Sequence, residues 1–145
     1  MKKILVLLIA ILAAKGAFCQ TISVVNNTNC DITIEIDAED LPAYSACALQ
    51  SNLIVVSATS TYGPIANLGG ITSGSTWLGS AMPTSSGTGW DAVKFYFSSV
   101  APGGCGGWVG QSCGAPAAWA GSCCGNTANT ATWAVVGGNY VVTIN

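Results

Sequence analysis

Ile32, Ile34 and Ile36 alternate with Asp31, Thr33, Glu35 and Asp37. A period of two predicts a strand with one buried and one wet face. Ile22 and Val24 predict a strand before it, ended by the polar run Asn26-Asn27-Thr28-Asn29. Leu53-Ile54-Val55-Val56 contains no polar residue and reads as a strand covered on both faces. Val93, Phe95 and Phe97 alternate with Ala92, Lys94 and Tyr96. At the chain's end, Thr132-Trp133-Ala134-Val135-Val136 and Tyr140-Val141-Val142-Thr143-Ile144 flank Gly137-Gly138-Asn139. Glycines between two apolar runs signal a hairpin, because glycine accepts positive φ. Ala38-Glu39-Asp40-Leu41-Pro42 reads as one helical turn between strands. No longer helix is expected, since Leu, Glu, Lys and Arg give way to Gly, Ser, Thr and Asn. The expected fold is all-β: a single antiparallel β-sandwich of the jelly-roll or immunoglobulin-like class.

The first residues read as an address. Met1-Lys2-Lys3 is basic, Ile4 to Ala14 has no polar side chain, and small residues follow. This is the pattern of a secretory signal peptide. Lys15 ends the run well short of the roughly 20 apolar residues of a spanning helix. Ala17-Phe18-Cys19 before Gln20 is one cleavage site, and Ala14-Lys15-Gly16 before Ala17 is another. Of the chain's seven cysteines, the first cut removes Cys19 and leaves an even set, which favours it. A lipid-bearing Cys19 fits less well, because Gly16 and Phe18 occupy the positions where such signals carry Leu and a small residue. The expected organisation is a leader over 1–19 and one domain over 20–145.

Cys30, Cys47, Cys105, Cys113, Cys123 and Cys124 remain, and an exported chain meets an oxidising compartment. Three disulfides follow, in any of fifteen connectivities. Zinc needs close cysteine pairs and reduced thiolates, and neither the spacing nor any histidine supports it. Cys123 and Cys124 are adjacent and are expected to bond to different partners. Residues 101–130 are rich in Gly, Ala and Cys and hold a small repeat. Trp108-Val109-Gly110-Gln111-Ser112-Cys113-Gly114 and Trp119-Ala120-Gly121-Ser122-Cys123-Cys124-Gly125 share W-x-G-x-x-C-G. The segment reads as a long loop or two short ribbons, pinned by disulfides.

Charge narrows the function. Lys2, Lys3 and Lys15 lie in the leader, so the mature chain carries Lys94 against six carboxylates and no histidine. One cation cannot neutralise a phosphate backbone or grip anionic lipid, which excludes nucleic acid and polybasic membrane binding. Histidine-based triads are excluded too, and Lys94, alternating with apolar residues, is expected to face solvent. Glu35 and Asp37 would lie about 7 Å apart on one strand face, within the range of an inverting glycosidase pair. Asp37, Glu39 and Asp40 are candidate calcium ligands, with no other cofactor expected. Asn26-Asn27-Thr28 matches an N-glycosylation sequon, although the Lys-Lys leader looks bacterial.

Five tryptophans remain to be placed. Trp133 alternates with Val135 and is expected in the core, and Trp90 is expected under a turn. Trp108, Trp119 and Trp77 are the candidate ligand-binding residues, because a loop indole either stacks on a flat ligand such as a sugar or plugs its own loop.

Val25-Asn26-Asn27-Thr28-Asn29-Cys30-Asp31-Ile32-Thr33-Ile34 together with the leader resembles small exported cysteine-containing proteins of Bacteroidetes-type bacteria. Ile22-x-Val24-x-Asn26 followed by Cys30 is similar to the first strand of thaumatin-like proteins. Ser73-Gly74-Ser75-Thr76-Trp77, followed by Trp90, is similar to their next hairpin. The second resemblance implies a β-sandwich and affinity for glucans; it assigns no site residue. The expected function is a non-catalytic secreted or cell-surface binding module, with a polysaccharide or surface glycan as partner. A self-associating matrix protein is the alternative, and a small glycosidase using Glu35 and Asp37 the third.

Overall fold

A computed structural model describes residues 20–71, 77–84, 86–97, 105–125 and 128–145. The leader and residues 73–76 of the thaumatin-like match lie outside them. Ten strands run in chain order: β1 (Ile22–Asn26), β2 (Ile32–Asp40), β3 (Tyr44–Gln50), β4 (Ile54–Val56), β5 (Ser60–Ile65), β6 (Gly89–Tyr96), β7 (Gly106–Gly110), β8 (Ala118–Gly121), β9 (Asn129–Val136) and β10 (Asn139–Ile144). The only helical elements among the described residues are single 3-10 turns at Leu68–Gly70 and Leu78–Ser80. The strands form two packed sheets. The first has the order β5-β1-β10-β9-β8; the second is β3-β2-β6-β7, with β4 also paired to β2. The expected all-β sandwich is therefore the fold.

Alternation sorts the core. Ile32, Ile34, Ile36 and Ala38 of β2 point inward and are fully buried. Val93 and Phe95 of β6 do the same, as do Ile22, Val24, Val142 and Ile144 from the other sheet. Trp133 joins this core as expected, and Trp90, expected under a turn, is fully buried in it as part of β6. The β9–β10 hairpin turns on Gly137 (φ 58°) and Gly138 (φ 85°), the left-handed pair that a tight two-residue turn requires. One pairing departs from the antiparallel expectation: β1 runs parallel to β10, Ile22 opposite Tyr140 through Asn26 opposite Ile144.

Two local expectations are corrected. The 38–42 segment is not a helical turn. β2 continues through Asp40, which pairs with Tyr44 of β3, because the ladder to β6 runs on past Ala38 as far as Glu39. The 53–56 run is not covered on both faces. β4 lies at the sheet's edge, Val56 is buried, and Leu53 and Val55 are more than half exposed.

Cys30–Cys124, Cys47–Cys113 and Cys105–Cys123 are the three disulfides, so the adjacent cysteines do bond to different partners. The tryptophan–cysteine repeat is structural as well as textual. Its first copy supplies β7 of one sheet and its second supplies β8 of the other. Each copy ends in a left-handed Cys-Gly turn, at Cys113-Gly114 (φ 63° and 73°) and Cys124-Gly125 (φ 59° and 74°). The cysteine of each turn is bonded to the amino-terminal half of the chain.

Candidate functional site: the outer face of the second sheet

The inward residues of β2 and β6 fix which residues face out. Between Ile34 and Ile36 stands Glu35, opposite Lys94 of β6, which in turn stands opposite Trp108 of β7. The neighbouring rungs are Thr33–Tyr96–Gly106 and Gln50–Asp37–Ala92–Gly110. One side of the five-stranded sheet thus gathers two carboxylates, the Lys94 ammonium, an amide, a phenol and an indole.

Hydrogen bonds organise the polar part. The Gln50 amide donates to Glu35 Oε2 at 2.9 Å, and the Tyr96 hydroxyl donates to the same oxygen at 3.4 Å. Lys94 Nζ lies 3.3 Å from Asp37 Oδ1, the sole ion pair among the described residues. Lys94 is therefore only partly the solvent-facing residue expected: it leans over the sheet to reach a carboxylate that is 4 % exposed. Burial pushes the Asp37 carboxyl above its ordinary 3.8, Lys94 offsets part of the rise, and the charges of Glu35 and Asp91 add to it. Burial, then the Glu35 charge, likewise raises the Tyr96 phenol.

The Asp37 shift makes a prediction about stability. The folded carboxyl holds its proton more tightly than the unfolded one. Its contribution to stability is complete below pH 3.8 and is lost as pH rises through the higher folded value. The Tm difference between wild type and Asp37→Asn should grow as pH falls from neutral toward 3.8. Calorimetry across that range, with a constant or shrinking difference, would contradict this.

Trp108 stands at the rim of the platform. Its same-face neighbours along β7 are Gly106 and Gly110, where a Cβ would lie 2.1 Å from the Phe95 carbonyl oxygen and 2.5 Å from that of Asp91. The close backbone approach that requires glycine also leaves the half-buried indole without side-chain neighbours on its own strand.

The other two candidate tryptophans are placed differently. Trp119 points between the sheets. Its ring meets Phe95 edge-on at 5.1 Å and lies 6.1 Å from Phe97. It rests over Gly107, where a Cβ would sit 2.5 Å from its Nε1. Trp77 is buried and bridges to Ser51. Both indoles are packed as part of the core, so of the three only Trp108 lies on an open face. Tyr96 is a further platform residue, and its alternation with the inward Phe95 and Phe97 is the sequence signal that places it there.

The three carboxylates expected to share calcium do not converge. Asp37 is held by Lys94, Asp40 accepts from both the Thr84 amide and hydroxyl, and Glu39 stands opposite Gly89. The one cluster of potential metal ligands among the described residues is Cys47, Asp91 and Cys113, and its two sulfurs are already bonded to each other. Asp91 sits at the register shift of β6, where it accepts from the Cys47 amide at 2.8 Å and from the Ser112 hydroxyl. Its carboxylate ties Cys47 of β3 and the turn that carries Cys113 to β6.

No family model matches the chain, and neither curated proteins nor solved structures show a match.

Proposed function

We propose that the protein is a non-catalytic binding module of the cell exterior, and that the outer face of the second sheet receives a polysaccharide or surface glycan. The observation that carries this reading is the placement of Trp108 beside two glycines and in register with Lys94 and Glu35. An apolar ring face next to amide, carboxylate and phenol groups suits a sugar, which presents both C–H faces and hydroxyls. Three disulfides fit an extracellular setting, and no described helix is long and apolar enough to cross a membrane.

Retention of the oxidised, leader-free protein on a panel of insoluble polysaccharides tests the reading. Trp108→Ala should weaken binding to the retained polymer by about thirtyfold, the loss of a roughly 2 kcal/mol anchor. Trp119→Ala should leave the affinity of the folded fraction unchanged while lowering stability by about 3–5 kcal/mol. Equal affinity for wild type and Trp108→Ala would end the proposal for this face.

A second reading, self-association into a surface matrix, draws on the exposed Leu53 and Val55 at the β4 edge and on Val135 and Val136 at the tip of β9. It expects concentration-dependent assemblies in sedimentation that ignore added sugar. The glycosidase reading draws on the raised pKa of Asp37, a property a general acid needs. Turnover unchanged by Glu35→Gln with Asp37→Asn would exclude it.

A further inference from the structure

The amino-terminal end of the domain is docked, not frayed. The Gln20 main-chain carbonyl accepts the Trp90 indole N–H at 2.7 Å, and Trp90 is fully buried. Gln20 Oε1 accepts the Tyr140 hydroxyl at 3.0 Å. That hydroxyl accepts from the Gln111 amide at 3.2 Å, and the same amide reaches the Trp90 carbonyl at 2.8 Å. Thr21 is held on both sides: its N–H donates to Asn139 Oδ1, and its carbonyl accepts the Tyr140 N–H. Leader removal before Gln20 leaves a glutamine as the first residue of a packed strand end.

We propose that Gln20 is a modification site, at which the mature amino terminus closes to pyroglutamate. The α-amine nitrogen attacks the side-chain Cδ, and a lactam C–N bond forms. The Cδ–Nε2 bond breaks, the departing nitrogen takes a proton from the attacking amine, and ammonia leaves. No electrons are transferred and no co-reactant is needed.

The docking geometry suits the product. Oε1, the atom that receives the Tyr140 hydroxyl, survives as the lactam carbonyl. Nε2, the atom expelled, has no hydrogen bond among the described residues. Both docked atoms, the main-chain carbonyl and Oε1, are oxygens that lactam closure keeps. Closure removes the α-ammonium charge and leaves Lys94 as the mature chain's one cation. This inference rests on the leader reading and is independent of the glycan reading.

The test is the exported protein made with its own leader. Its intact mass should lie one ammonia below that of the open chain 20–145. Edman degradation should yield no first residue. Pyroglutamyl peptidase treatment of the unfolded chain should then expose Thr21. Amine acylation should place a single label, on Lys94. A free α-amine on Gln20 overturns the lactam. A chain beginning at any other residue overturns the cut before Gln20, and with it the lactam.

Discussion

Asn26→Ala should lower stability by about 4 kcal/mol, seen as a urea midpoint shift at unchanged slope. The side chain is fully buried. Its amide donates to the carbonyls of Cys30 at 2.8 Å, Ser57 at 3.0 Å and Val56 at 3.1 Å. Its Oδ1 accepts from the Thr28 N–H at 3.0 Å and the Thr28 hydroxyl at 2.7 Å. One residue thus ties the end of β1 to the β1–β2 loop and to the end of β4. Alanine removes both halves of this hub and leaves buried donors and acceptors unmatched, each costing roughly 1–3 kcal/mol. Asn26→Asp should be worse, since a carboxylate cannot donate to three carbonyls. The neighbouring Asn27, which is exposed, is the control: its alanine variant should stay within about 0.5 kcal/mol of wild type. A loss below 1 kcal/mol for Asn26→Ala would contradict this account. The same hub gives the sequon match a structural meaning, because an amide used in this way is closed to a glycan in the folded chain.

Removing the Cys30–Cys124 bridge should cost about 4–5 kcal/mol, the largest effect among the three disulfides. Its partners are 94 residues apart, against 66 for Cys47–Cys113 and 18 for Cys105–Cys123. Closing the longer loop restricts the unfolded chain more. On chain-entropy grounds the first bridge exceeds the third by about 1.5 kcal/mol. The paired substitution Cys30→Ala with Cys124→Ala avoids a stray thiol and isolates the loop effect. Chemical unfolding of the three paired variants should rank them in order of loop length. A Cys105–Cys123 variant less stable than the Cys30–Cys124 variant would show that local strain or packing, and not chain entropy, governs these bridges.

What the chain reveals locally and what it hides can be followed residue by residue. The Ile32-Ile34-Ile36 alternation and the Gly137-Gly138 turn announced β2 and the β9–β10 hairpin, because both signals are complete within a few residues. The 53–56 run misled because hydrophobicity alone does not say whether a strand is central or at an edge. The 38–42 segment misled because its acids suggested a turn while β6 kept β2 extended. Trp119 reads in sequence as a ligand contact because nothing near it along the chain can bury it. Its seat is built from Phe95, Phe97 and Gly107, brought to it by strands of the opposite sheet. Trp108 and Trp119 occupy equivalent places in the repeat, yet Trp108 falls on the outer phase of β7, next to the buried Val109, and Trp119 on the inner phase of β8. The parallel match of β1 with β10 joins the two ends of the domain, and no local pattern encodes it.

That parallel match decides how the domain would respond to being pulled. A load between Gln20 and Asn145 enters at the start of β1 and leaves at the end of β10, running along both strands in opposite senses. The five rungs from Ile22–Tyr140 to Asn26–Ile144 are then strained together in shear, whereas an antiparallel terminal pair would be peeled one rung at a time. Beyond that clamp, the Cys30–Cys124 bond encloses the 94-residue span between its ends. Rupture would release only the short lengths outside it, making the oxidised domain a stiff and barely extensible link.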